Sequence, residues 1–301
     1  MRNLSLTFKI TALVLLAALT AIGLGYANGL RTFIVETPSM GTYSPVGTFV
    51  ISKPVQIKDL SVGDTLAFHP PGTESTFFHR VHEVTDEGLK TKGDLNGSVD
   101  PWVVSTQDQI VGQELLHVKN LGFLLRVLPL LIVGGLVLHL ITSYFSARYY
   151  RFPIRVMGWY LLISVAALIT KPYFNASLIS QSVKDDNATT LFVGTGIFDI
   201  QGTAEKGTSS ISSPGELVSV VSSYANDDGY YNVLLQPHLS FHNWVLLVAV
   251  WLTPTLFCAL YAVWARKTGR DLKEEPVESD TTIIVPPRHI TRSGNPKHKL
   301  V

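Results

Sequence analysis

Four long apolar runs interrupt a chain that otherwise alternates short hydrophobic and polar stretches. The first runs from Ile10 to Tyr26, and with Lys9 snorkelling at its edge it is just long enough to cross a bilayer. The second spans Leu121 to Phe145, with Arg126 near one end and Tyr144, Tyr149 and Tyr150 as an aromatic girdle at the other. The third, Ile154 to Thr170, is shorter. The fourth, Trp244 to Trp264, carries Trp at both ends. A cleavable signal peptide is the competing reading of the first run, with a cleavage site near Tyr26-Ala27-Asn28. Three further apolar runs in the same chain favour a retained anchor.

Between the first two runs the pattern changes to short β-type segments: Thr48–Ser52, Thr65–Phe68, Phe77–Val84 and Gln109–Val111, separated by Gly, Pro and Asp turns. No segment here has helical periodicity. Lys171 to His238 has the same texture, with strand-like Thr190–Ile200, Glu216–Tyr224 and Tyr230–Leu235. The expected architecture is a membrane protein: four transmembrane helices, an all-β domain after the first, and a second small β-domain. Its parts are an anchor (1–29), a β-domain (30–120), a helix (121–145), a basic loop (146–153) and a helix (154–170). A β-domain (171–241), a helix (242–265) and a disordered tail (266–301) follow. The tail mixes Pro, charges and Ser/Thr.

Charge orients this layout. Hydrophobic residues make up 46% and charged residues 16% of the chain, below the quarter or so typical of soluble domains. Lys and Arg number 24 against 23 Asp and Glu, a net +1 that gives no phosphate-attracting surface, so nucleic acid is not an expected partner. The link between the second and third runs holds Arg148, Arg151 and Arg155 without an acid. The tail after the fourth opens with Arg266, Lys267 and Arg270. Both are expected in the cytoplasm. Gly29 to Asn120 has seven bases against eleven acids and Thr170 to Phe241 three against seven, so both β-domains are expected on the outer face. The expected location is the plasma membrane. Cys258 is the one cysteine, which leaves no intramolecular disulfide and no cysteine zinc cluster.

Within the first β-domain, five short features follow one another: Thr37-Pro38-Ser39-Met40, Val62-Gly63-Asp64, Phe78-His79-Arg80-Val81, Thr91-Lys92-Gly93-Asp94-Leu95-Asn96 and Asp100-Pro101-Trp102. A serine, a histidine and two aspartates are the raw material of acyl transfer. Serine is a weak nucleophile until an imidazole takes its proton, and the imidazole needs a carboxylate to fix its tautomer.

In this order the features resemble signal peptidase I of the archaeal and endoplasmic-reticulum type, over about Leu6 to Leu115. That family has an N-terminal span, a Ser-Met box, a Val-Gly-Asp strand start, a His-Arg-Val strand and a Lys-Gly-Asp turn followed six residues later by a second Asp. Pro45-Val46-Gly47, Lys53-Pro54 and Ile110-Val111-Gly112 extend the match. The resemblance implies Ser39 as nucleophile, His79 as general base, Asp100 as the carboxylate that orients it and Asp94 as structural support. Bacterial-type relatives use a lysine base; here the matching position is His79, and Lys92 falls in the Lys-Gly-Asp turn. Imidazoles ordinarily titrate near neutrality, which suits the exchange of a proton with serine and leaving amine. By analogy with the bacterial type, the oxyanion hole is the Ser39 N–H with the Thr37 hydroxyl. The chain departs from the family's Ser-Met-x-Pro pattern: it reads Ser39-Met40-Gly41-Thr42, which loosens this loop.

The resemblance implies a serine endopeptidase that removes signal peptides from secretory preproteins beside the lipid bilayer, without a cofactor or metal, in contact with the secretion machinery. Met40, Phe33, Ile34 and Phe49 are expected to form an apolar surface against lipid. Arg126 is expected to snorkel, and Gly134, Gly135 and His139 to serve helix packing. Two other functions fit the chain: a peptidase dedicated to a few pilin- or matrix-like partners, and a non-catalytic scaffold that keeps the peptidase fold. The start of the second β-domain, Tyr173-Phe174-Asn175-Ala176-Ser177, resembles the mature start of matrix proteins processed by a specialised branch of this peptidase family.

Overall fold

The computed structural model describes residues 6–144, 148–171, 175–223, 225 and 230–268. The first apolar run is helical over α1 (Leu6–Ala27). A turn at Gly29, with φ of +85° and Pro54 packed where a side chain would start, delivers the chain into β1 (Arg31–Ile34).

The β-domain that follows is a six-stranded antiparallel sheet. Its other strands are β2 (Phe49–Lys53), β3 (Thr65–Phe68), β4 (Phe77–Thr85), β5 (Gly88–Lys92) and β6 (Ile110–Val118), in the spatial order β1-β2-β6-β3-β4-β5. Both faces bury apolar side chains. One carries Leu60, Leu66, Phe68, Val81, Leu89 and Val104; the other carries Val35, Met40, Val50, Ala67 and Phe78. β1 lacks strict alternation and emerges as the partner of β2, whereas β5 alternates, with Leu89 and Thr91 buried, and pairs with β4. The sequence pattern ends β6 at Val111, yet the strand continues to Val118, pairing with both β2 and β3. Met40, expected at a lipid-facing surface, is 1% exposed and packs in the second cluster. Its position beside Ser39 on a short 3₁₀ turn (Pro38–Met40) directs it inward.

Two helices, α2 (Leu121–Ser143) and α3 (Arg148–Thr170), form a close hairpin. A β-carbon on Gly134 or Gly135 would lie 2.4 or 2.5 Å from Leu162 or Trp159, and one on Gly158 2.4 Å from Leu138, so these glycines let the helices approach. The stretch 146–153, expected as a loop, is helical from Arg148. Pro153 forfeits one backbone bond near the helix start without ending it. Three helices among the described residues are long and apolar enough to cross a membrane: Leu121–Ser143, Arg151–Thr170 and Phe241–Trp264, the last within α4 (Phe241–Thr268). Four such spans were expected. The tail expected to be disordered lies, from residue 269, outside the described residues.

The second β-domain is a pair of three-stranded antiparallel sheets. One has the order β11-β8-β7, with β7 (Ala176–Lys184), β8 (Asn187–Gly194) and β11 (Leu217–Ser222). The other has the order β10-β9-β12, with β9 (Asp199–Ala204), β10 (Ser209–Ser212) and β12 (Val233–His238). Phe192, Ile200, Ala204 and Val220 fill the space between them. The single strand expected over Thr190–Ile200 is two strands, because Gly196, at φ of +106°, turns the chain from one sheet to the other.

Candidate active site

Ser39 lies on the 3₁₀ turn that follows β1, with Pro at the first position of the turn, where a missing N–H costs nothing. His79 stands on β4, opposite Leu66 of β3. Asp100 follows β5 and the Lys-Gly-Asp turn, and its N–H donates to the Thr91 carbonyl at 2.9 Å, which fixes its backbone to the sheet edge.

These three side chains form one line. Ser39 Oγ is 3.0 Å from His79 Nε2, and His79 Nδ1 is 2.7 Å from Asp100 Oδ2. The His79 and Asp100 side chains are 6% and 5% exposed, so their contact is shielded from water. Phe77 meets the imidazole edge-on at 5.8 Å between ring centres, Phe68 at 6.3 Å, and Trp102 packs in turn against Phe77 at 5.2 Å. The aromatic wall accounts for Trp102 so close to Asp100 in sequence. The Thr91 hydroxyl donates to the same Asp100 oxygen at 2.6 Å. Thr37 Oγ1 is 3.4 Å from Ser39 Oγ, in an exposed contact.

Asp94 does not reach the imidazole. It accepts two bonds from Arg80, at 2.9 and 2.8 Å, in a fork-to-carboxylate pair. That carboxylate holds the Arg80 guanidinium even more firmly protonated than usual. Arg80 also donates to the Gly63 carbonyl at 2.9 Å and lies over the Tyr43 ring at 4.6 Å. The turn containing Asp94 bears directly on Ser39: Leu95 N–H donates to the Ser39 carbonyl at 2.8 Å, and a β-carbon on Gly93 would sit 2.9 Å from Ser39 Cβ. Asp94 thus acts on Ser39 through the backbone it anchors. Lys92 is on β5 opposite Arg80.

The loop that carries Ser39 has a second anchor that no motif in the chain announces. The Tyr43 hydroxyl bonds to both oxygens of Glu114, at 3.1 and 3.0 Å, and Glu114 also accepts Thr65 Oγ1 and His117 Nδ1, each at 2.5 Å. Burial pushes the Tyr43 phenol above its usual range, and the Glu114 carboxylate adds to the rise. The Tyr43–Glu114 and Thr65–Glu114 bonds escape sequence reading because they join positions 71 and 49 residues apart, and Thr91, though within a quoted motif, carries no signal of its bond to Asp100. The polar character of Glu114 within an otherwise strand-like run was the one available signal.

Helix α2 meets this domain at the same end. Gly122 N–H of α2 donates to the Gly47 carbonyl at 2.9 Å. Arg126, expected to snorkel, instead donates to Glu36 at 2.6 Å, three residues before Ser39. Among the described residues no group of three or more His, Cys, Asp or Glu side chains is disposed to hold a metal ion. No protein-family model matches the chain, and no curated protein is significantly similar to it.

Chemically, the line of groups has a polarity. A carboxylate that accepts from Nδ1 leaves Nε2 with its lone pair toward the serine, the arrangement in which an imidazole removes a hydroxyl proton.

Proposed function

We propose that this chain is a membrane-bound serine endopeptidase that removes N-terminal signal peptides from exported preproteins. The observation that carries the reading is the Ser39–His79–Asp100 line, 3.0 and 2.7 Å, in a β-domain joined directly to helix α1. Ser39 Oγ attacks the scissile carbonyl carbon while its proton passes to His79 Nε2. Asp100 stabilises the imidazolium so formed. The Ser39 N–H and the Thr37 hydroxyl receive the negative charge that develops on the carbonyl oxygen. Collapse of the tetrahedral intermediate breaks the C–N bond, and His79 returns the proton to the departing amine. Water, deprotonated by His79 in the same way, then releases the acyl group from Ser39. The reaction needs no cofactor.

In this reading α1 is a fourth span. Both β-domains lie outside the plasma membrane, with the Arg-rich start of α3 and the residues after α4 in the cytoplasm. The nucleophile follows the end of α1 by about a dozen residues, close to where the cleavage site of a membrane-held signal peptide emerges. One observation favours a narrower variant, a peptidase dedicated to few partners: a β-carbon on Gly215 in the second β-domain would touch Gly41, two residues past the nucleophile.

The test is cleavage of a preprotein panel by membranes containing wild type, Ser39→Ala or His79→Ala. Cleavage by wild type alone, with the variants stably inserted, supports the peptidase, and the number of panel members cut separates broad from dedicated processing. Equal silence of wild type and Ser39→Ala on every substrate leaves a scaffold that keeps the peptidase fold.

A further inference from the structure

We propose that the Ser213–Glu216 turn of the second β-domain belongs to the catalytic apparatus, holding the nucleophile loop in place through contact between Gly215 and the Gly41–Thr42 peptide. The inference rests on the peptidase reading above and assigns the second β-domain a part in it.

The nucleophile loop is tied down on most sides. Ser39 O accepts from Leu95 N–H at 2.8 Å, Gly41 N–H donates to Pro38 O at 2.9 Å, and Lys119 Nζ donates to Thr42 O at 2.7 Å. Its weak point is Gly41 itself, at φ of 56° and ψ of −140°, a conformation that only glycine adopts readily and that glycine also leaves readily. The protein closes that point by sandwiching it. On one side, a β-carbon on Gly41 would lie 3.0 Å from the Leu95 side chain. On the other, one on Gly215 would lie 2.3 Å from Gly41 O, 2.6 Å from Gly41 C and 2.8 Å from Thr42 N. Gly215 therefore lies flat on the peptide that follows the nucleophile turn, closer than any side-chain-bearing residue could come.

The turn that presents Gly215 is itself braced. Gly215 N–H donates to Gly194 O at 2.8 Å and Glu216 N–H to Ser213 O at 2.9 Å. Glu216 Oε2 accepts from Ser213 N–H at 3.1 Å, and Ser212 Oγ links Gly194 N–H to Glu216 O at 2.7 and 2.6 Å. These bonds tie the turn to β8, the central strand of its sheet. A rigid turn on a rigid strand pressing on a flexible glycine is a positioning device. Its worth is set by how steeply the rate depends on the alignment of Ser39 Oγ with His79.

The experiment measures kcat and KM for cleavage of a preprotein with Ala at the −3 and −1 positions, by the full chain in proteoliposomes. Wild type, Ser39→Ala, Gly215→Ala, Glu216→Ala and Gly207→Ala are compared. Gly207 is the control for strain: at φ of +153°, with a β-carbon 1.9 Å from Val221 O, it burdens the same domain away from the nucleophile. The expected result is a kcat lowered about tenfold in Gly215→Ala and about threefold in Glu216→Ala, with KM within about twofold and Gly207→Ala near wild type. A folded Gly215→Ala enzyme with the wild-type kcat overturns the proposal, as does a change confined to KM, which would make the turn a wall of the substrate groove. If Gly215→Ala does not fold, Glu216→Ala decides by the same criterion. A wild type that cleaves and a Ser39→Ala that does not separate these outcomes from failure of the peptidase reading, in which both are silent and the proposal falls with it.

Discussion

His79 Nδ1 lies 2.7 Å from Asp100 Oδ2, and both side chains are almost wholly withdrawn from water. In that setting the carboxylate chooses the tautomer of the imidazole. Asp100→Asn keeps the shape but offers an amide N–H to Nδ1, which moves the ring proton to Nε2, where it faces Ser39 and cannot accept a proton. The expected outcome is a kcat lowered by about 10⁴, the loss this exchange causes in a serine-protease triad, with thermal stability little changed. Turnover of a preprotein by purified wild type and variant measures it; equal turnover would remove Asp100 from the mechanism.

Thr91 is fully buried, and its hydroxyl is the second donor to Asp100 Oδ2. Thr91→Val preserves the volume and deletes the donor, leaving a buried carboxylate short of one bond. Bonds to charged groups contribute about 1.5–3 kcal/mol, so thermal unfolding should show a loss near 2 kcal/mol, while Thr91→Ser retains most of the stability. An unchanged melting temperature in Thr91→Val would mean that Asp100 finds another partner.

How far these contacts were legible beforehand depended on their reach along the chain. β3 was readable to the residue because Thr65–Phe68 is an apolar run opened by a β-branched Thr and closed by an aromatic, between Gly and Pro punctuation. Ser39, His79 and Asp100 were legible as residues from the order of their motifs, and the structure brings these three together. The Arg80–Asp94 fork, the Glu114 cluster and the Gly41–Gly215 contact were not legible. Arg80–Asp94, Tyr43–Glu114 and Gly41–Gly215 each join positions at least 14 residues apart, and hydrophobic pattern does not say which distant turns and strands meet. The loop expected over 146–153 rested on its arginines, and charge alone does not end a helix: α3 begins at Arg148 and carries Pro153 in its early turns.

Burial, with help from Glu114, raises the Tyr43 phenol above its ordinary 10.0. Folding thus favours the protonated phenol. The contribution is complete below about pH 10 and is lost as pH rises through the elevated folded value. Tyr43→Phe keeps the ring under Arg80 but removes the titrating group. Its melting temperature should therefore fall less steeply than wild type on the alkaline side, and should start lower at neutral pH because the bonds to Glu114 are gone. Melting curves taken from neutrality to about pH 11 check both parts; parallel slopes would show that Tyr43 does not titrate with unfolding.

Gly47 joins the first β-domain to the start of α2. Its φ of +86° belongs to the left-handed region, a β-carbon there would lie 2.1 Å from the Phe123 ring, and its carbonyl receives Gly122 N–H from the start of α2 at 2.9 Å. Alanine at this position therefore meets two penalties: about 1–2 kcal/mol for the backbone conformation and about 1–3 kcal/mol for displacing a buried aromatic ring. Because α2 also contributes Arg126 to Glu36, loosening this joint disturbs the segment leading to Ser39. Gly47→Ala should lower stability by about 3 kcal/mol in calorimetry of the detergent-solubilised chain. It should also slow cleavage of a membrane-inserted preprotein more than cleavage of a soluble peptide spanning the same site. Equal slowing of the two would place the damage in the triad itself rather than in the seat of the domain on the bilayer.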